Sequence, residues 1–133
     1  MKRTLIVAAL ALAALAGCNK PPAGDVATVN VGRIAANWPK YLNFQNQLSA
    51  DAQALDRSNL PESDKRAARA ALQERYVRFT AEISNDIQAA AQQVATEKHI
   101  KLVVTREYVG YGGLDITPDV EKVLHVTEKE PGK

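Results

Sequence analysis

The residues of this chain that could do chemistry are few: one thiol, two imidazoles, a glycine-rich stretch and a row of cationic side chains. Cys18 is the sole cysteine, so no disulfide can form within the chain. His99 and His125 lie 26 positions apart and neither belongs to a cluster with metal-ligand spacing. His99 is expected at a helix C-terminus, where a cation is mildly favoured in any case. Gly110-Tyr111-Gly112-Gly113 lacks the lysine and the following helix of a phosphate loop, and it reads as a turn. Asp51, Asp56 and Glu62 fall on faces expected to be solvated. No residue set supports catalysis, so neither enzymatic activity nor a metal or cofactor is expected.

The cationic row is the remaining candidate site. Arg57, Lys65, Arg66, Arg69, Arg75 and Arg78 stand against Glu62, Asp64 and Glu74, a surplus of about +3 over residues 57–78. One reading is an attractive rim for an acidic client or an anionic lipid surface. The other is an ordinary solvated helix face.

Cys18 owes its interest to what precedes it. Lys2 and Arg3 are followed by an apolar run over residues 5–16, too short for a stable membrane span, and the run ends in Leu15-Ala16-Gly17-Cys18. This is similar to the bacterial lipobox, in which the cysteine becomes the first mature residue and carries lipid. An ordinary signal peptide with a chance cysteine is the competing reading. The expectation is therefore a signal peptide over 1–17, lipidation at Cys18, and anchorage in the envelope, with Asn19 favouring the outer membrane by analogy with lipoprotein sorting. Without Lys2 and Arg3 the chain carries 15 basic and 15 acidic residues, so its net charge argues for no nucleic-acid partner. Residues 18–25, with Pro21, Pro22 and Gly24, read as a tether.

The elements that must position these groups are mostly helical. Residues 26–31 read as a strand, with Gly32 separating it from a helical stretch over about 33–57. Within that stretch Ile34, Tyr41, Leu48 and Leu55 recur every seven residues, with Trp38, Gln45 and Ala52 as the companion row. Pro39 suits the first position of a longer helix after a bend at Asn37. Residues 58–64 read as a turn. Residues 65–98 contain neither proline nor glycine. There Leu72, Ile83 and Val94 recur every eleven residues, as do Phe79 and Ala90, and Tyr76 and Ile87, the period of a nearly straight helix pair. The two helices form a hairpin over about 33–98. It dominates the chain with little else to cover its stripe, so self-association is expected; a monomeric two-helix core on a small sheet is the alternative. Strands are expected over 100–105 and, closing at Gly112-Gly113, over 107–111. A short helix over about 117–125 would have Thr117 as its cap and Pro118 in its first turn. Residues 127–133 are expected to be disordered.

In this order the segments resemble the Skp/OmpH family of periplasmic chaperones: a strand of the type Val26 to Gly32, a helical hairpin, Ile83 through Val104, then Tyr108 followed by Asp115-Ile116-Thr117-Pro118-Asp119-Val120. The resemblance implies an α+β fold in which strands of three chains form a small β-sheet or barrel body and three coiled-coil arms surround a cavity. It implies an ATP-independent holdase binding unfolded outer-membrane proteins, working as a homotrimer without catalytic residues. Val29, Val31, Leu102 and Val104 would lie in or near that body. Compared with that family the arm is short, about 38 Å for a 25-residue outgoing helix, and the mature chain is neutral. A coiled-coil adaptor lipoprotein of the envelope, without chaperone activity, is the alternative.

Overall fold

A computed structural model describes residues 24–127; the leader and its Cys18, and the tail over 128–133, lie outside the described residues. The chain runs β1 (Val26–Val29), α1 (Val31–Asn37), α2 (Pro39–Arg57), α3 (Glu62–Glu97), β2 (Leu102–Thr105), a 3-10 turn (Arg106–Tyr108), β3 (Leu114–Asp115) and α4 (Thr117–Val123). Helix dominates. The expected α+β fold with a β-sheet or barrel body is therefore corrected: the body is a helical core on one small, open, all-parallel sheet of order β2-β1-β3.

Helix lengths explain why the sheet is parallel. The chain leaves β1 at Val29, passes through α1 and α2, and returns along α3, which has 36 residues against 19 in α2. At 1.5 Å per residue α3 is about 54 Å long and α2 about 28 Å. The overrun, from Ile83 onward, carries the chain back past the whole body to the start of β1. There Lys101 and Leu102 donate their amides to Asp25 O at 3.1 and 3.0 Å. β2 consequently starts beside the start of β1 and runs the same way, with Ala27 opposite Val103 and Val29 opposite Thr105. Asp25, expected in the tether, is thus tied into the sheet margin.

The third strand is also displaced. Residues 106–108 form a 3-10 turn where a strand was expected, and β3 begins only after the glycines. β2 and β3 flank β1, about 10 Å apart at ordinary strand spacing, so the connection must cross β1. It crosses over Thr28: a Cβ on Gly113 would meet Thr28 Cγ2 at 2.9 Å, and Gly112 and Gly113 hold φ of +88° and +83°. Positive φ favours glycine at both positions, and at Gly113 a side chain would also clash.

The outgoing arm is interrupted as the proline requires. Asn30 caps α1 by accepting the Arg33 amide at 2.8 Å. Trp38, held extended (φ −84°, ψ 114°) before Pro39, ends α1. Pro39 then occupies the first turn of α2, where its missing N–H costs nothing. The outgoing arm helix is accordingly α2 alone, shorter than the 25 residues read as one helix, because α1 and Trp38 belong to the body. Gly32 sits inside α1 rather than before it.

The core joins Ala27 and Val29 of β1, Ile34 of α1, Trp38, the α3 row Ile83, Ile87, Ala90, Ala91 and Val94, and Ile116, Val120 and Val126 around α4. Arg33 and Glu121 bridge α1 and α4 through two hydrogen bonds, Nε to Oε1 at 3.0 Å and Nη2 to Oε2 at 2.9 Å. Asp115 rather than Thr117 performs the capping at α4. Its Oδ1 accepts the Thr117 amide at 2.9 Å and the Thr117 hydroxyl, while that hydroxyl accepts the Asn30 amide at 2.9 Å.

Both histidines have a structural post. Among the described residues, His99 and His125 are the non-glycine residues with positive φ, 57° and 53°. Each follows a helix in the Schellman arrangement: Ile100 N bonds Ala95 O at 2.9 Å after α3, and Val126 N bonds Glu121 O at 2.8 Å after α4. Histidine enters the left-handed region more readily than most side chains, and the next residue, Ile100 or Val126, is buried in each case.

Candidate functional site: the arm and the groove at its root

α2 and the first half of α3 stand away from the body as an antiparallel hairpin. No residue of α2 is buried, and every buried residue of α3 lies from Ile83 onward. The same eleven-residue rows therefore have two fates. Ile83, Ile87, Ala90 and Val94 are core, Phe79 is half-buried against its margin, and Leu72 and Tyr76 lie further out along the arm. At the base of the arm Phe44 stacks on Phe79, centroids 3.7 Å apart with planes 11° from parallel, with Tyr41 6.3 Å from Phe79. The heptad rows place Gln45 in this seam; Phe44, one position earlier, fills it and Gln45 is exposed. Further out, Leu48, Ala52, Leu72 and Tyr76 line a shallow hollow of about 380 Å³. Leu60 at the turn and Val77 on the outer face are 48% and 55% exposed, so the arm presents apolar surface along its length.

The six basic residues all lie on the arm, Arg57 at the end of α2 and the rest along the first half of α3. Their charge is largely answered by acidic residues that folding brings across the hairpin. Arg75 pairs with Asp51 at 2.8 Å and lies over the Phe44 ring at 5.6 Å; Arg69 pairs with Asp56 at 3.0 Å; Arg78 pairs with Glu74 one turn away. Arg66 reaches the Glu62 carbonyl at 3.4 Å. Among the described residues Arg57 and Lys65 form no ion pair. With Asp51 and Asp56 counted, residues 51–78 hold six basic and five acidic side chains, a net +1 rather than +3. The exposed pairs stabilise the hairpin by about 0–1 kcal/mol each. At the arm's root Lys40 bridges Glu82 at 2.6 Å and Asp86 at 2.8 Å. The hydrogen bonds it donates to Asp86 and then Glu82 raise its pKa above the ordinary lysine value.

A second concavity lies where the arm joins the body. Between the face of α3 bearing Ile87, Ala91 and Ala95 and the strand residues Val29 and Val103 runs a groove of about 710 Å³. On the opposite face of the sheet Val26 and Leu102, direct neighbours across β1 and β2, are 39% and 53% exposed; in the crossing connection Tyr108 and Tyr111 are 90% and 101% exposed.

Among the described residues no group of three or more His, Cys, Asp and Glu side chains is placed to hold a metal ion, and no helix is long and apolar enough to cross a membrane. No family model matches the chain, and no curated protein matches it.

Proposed function

We propose that this chain is an ATP-independent holdase for unfolded polypeptides of the cell envelope. The observation that supports it is the arm: a two-helix hairpin that leaves the body, buries no residue of α2, and presents Tyr76, Val77 and Leu60 at its surface. Such a surface offers many weak, non-directional apolar contacts, which suits a sequence-tolerant holder of unfolded chains. The near-neutral tip makes these contacts predominantly apolar. Copies of the chain associate, as a homotrimer on this reading, through the exposed face carrying Val26 and Leu102 and the flanking Tyr108 and Tyr111. The leader and Cys18 lipidation would place the assembly on the periplasmic side of the envelope, with unfolded outer-membrane proteins as clients.

The test is suppression of aggregation of an unfolded outer-membrane protein by the full chain in detergent. Protection near stoichiometry is expected, with Val77→Asp weakening it. Absence of protection at every ratio rejects the reading. The cross-hairpin pairs Arg75–Asp51 and Arg69–Asp56 favour a second reading, a spacer or adaptor lipoprotein, because they make the arm self-sufficient electrostatically. A pull-down dominated by one folded partner would select it.

A further inference from the structure

The two helices of the arm are attached to the body in different ways. α3 runs for 36 residues from the tip into the core with neither proline nor glycine, so it offers no point at which the whole arm could pivot. α2 is bracketed by prolines. Trp38, extended (φ −84°, ψ 114°), precedes Pro39, and residues 58–61 end at Pro61 (φ −55°, ψ 150°). Element ends of this kind absorb the dihedral changes of a hinge. The bonds that hold α2 down are also of one kind. Among the described residues every hydrogen bond between α2 and α3 joins charged groups: Lys40 to Glu82 and Asp86 at the root, Arg75 to Asp51 midway, and Arg69 to Asp56 near the tip. Each of these side chains is more than a third exposed. The apolar remainder of the seam is the Phe44–Phe79 stack and the half-buried Leu48, Ala52 and Leu72, with no fully buried side chain on α2.

We propose that α2 is an ion-latched flap: it leaves α3 as one unit, turning at the prolines that bracket it, while α3 and the body stay in place. Once undocked, this segment of 19 residues must nucleate helix by itself and melts, whereas α3 continues from turns anchored in the core. The signs along the seam decide how the flap reseats. α2 presents a cation at the root and carboxylates further out, and α3 presents the reverse, so a slipped register brings like charges together. Screened by salt, such exposed latches weaken together, which makes the opening sensitive to ionic strength. Opening uncovers Phe44, Leu48, Leu72, Tyr76 and Phe79, the apolar seam of the arm. The device deepens the holdase reading by giving the arm a reserve of apolar surface, and it rests on that reading only for the use of that surface.

The test is hydrogen–deuterium exchange, read by mass spectrometry, on the full chain in a non-ionic detergent. Raising sodium chloride from about 0.01 M to about 1 M cuts the screening length from about 30 Å to about 3 Å. The amides of α2 should then exchange about tenfold faster, evenly along the helix, while β1, α4 and the core half of α3 change little. Arg75→Asp, which sets a carboxylate against Asp51, should quicken α2 at low salt by about threefold or more, and adding Asp51→Arg should return most of that change. Both positions lie outside the core, and the protection of β1 and α4 reports whether the body of each variant has folded. Four results overturn the flap: α2 exchange indifferent to salt, exchange graded inward from the tip as in fraying, α2 moving in step with β1 and α4, or a double variant no better than the single one. The aggregation assay separates the two claims, with Arg75→Asp expected to protect an unfolded outer-membrane protein at a lower ratio than the unmodified chain. Equal protection by the two overturns the use of the seam for clients. Salt-dependent opening without any protection sinks the holdase and leaves the flap; protection with α2 exchange unmoved by salt sinks the flap and leaves the holdase.

Discussion

Removing Arg33 should destabilise the body more than any other single charge change. The Glu121 side chain is 7% exposed and Arg33 34%, and two parallel N–H···O bonds of 3.0 and 2.9 Å join them. Breaking a fully buried pair by deleting one partner costs about 3–5 kcal/mol, because a desolvated charge is left behind. A third of the Arg33 side chain meets water, so water can partly replace it; Arg33→Ala is expected to cost about 2–3 kcal/mol. For a domain of about 100 residues that lowers Tm by roughly 10–20 °C. Urea titration followed by circular dichroism reads the free energy, and the double change Arg33→Met with Glu121→Leu supplies the control. If the penalty is the stranded carboxylate, the double variant recovers at least about half of the loss, since a well-packed apolar pair often matches a buried ion pair. A loss below about 0.5 kcal/mol for Arg33→Ala, or a double variant no better than the single one, refutes the reasoning.

Four further outcomes follow from particular positions. His99→Gly and His125→Gly should each raise stability by about 0.5–1 kcal/mol, the left-handed strain less the greater backbone freedom of glycine in the unfolded chain, read in the same urea titration. Gly113→Ala should lower it by about 2 kcal/mol or more, since the new methyl meets Thr28 and the backbone keeps positive φ. At Asp115 burial raises the carboxyl pKa, but the Thr117 hydroxyl and amide, then Arg106 and Arg33, outweigh it and hold it below the ordinary aspartate value of 3.8. A depressed folded pKa means the contribution is present above 3.8 and lost as pH falls through the lower folded value, so Asp115→Asn should flatten the acid limb of a stability–pH curve only in that window. Phe44→Ala should cost about 1–2 kcal/mol in the arm; amide exchange should then quicken along α2 and the first half of α3 while β1 and α4 keep their protection.

How much of this was legible beforehand depends on the range over which each signal acts. The helical arm was written in apolar periodicity and in the absence of helix breakers from 65 to 98. Pro39 marked the start of α2 because a proline disturbs its own turn and the residue before it, whatever the rest of the chain does. The sheet was misjudged because its strands are only two to four residues long and its third member is positioned by a crossing connection. The pairing at the basic tip was not legible because charge was counted along a window of sequence, whereas Asp51 and Asp56 lie just before it and meet Arg75 and Arg69 across the turn. His99 and His125 carried a signal that could have been found: each stands one residue before a buried aliphatic at the end of a helical pattern, where a left-handed residue is usual.

Local chemistry along the chain determined where helices run, where they break and which stripe of each is apolar, because those properties depend on neighbours within a turn or two. Tertiary structure decided the rest: the parallel direction of β2, set by the overrun of α3; the partnership of Arg33 with Glu121, 88 positions apart; and the division of one apolar row into core from Ile83 onward and open arm before it. Each depends on which surfaces meet in space, and no period or spacing in the chain encodes that meeting.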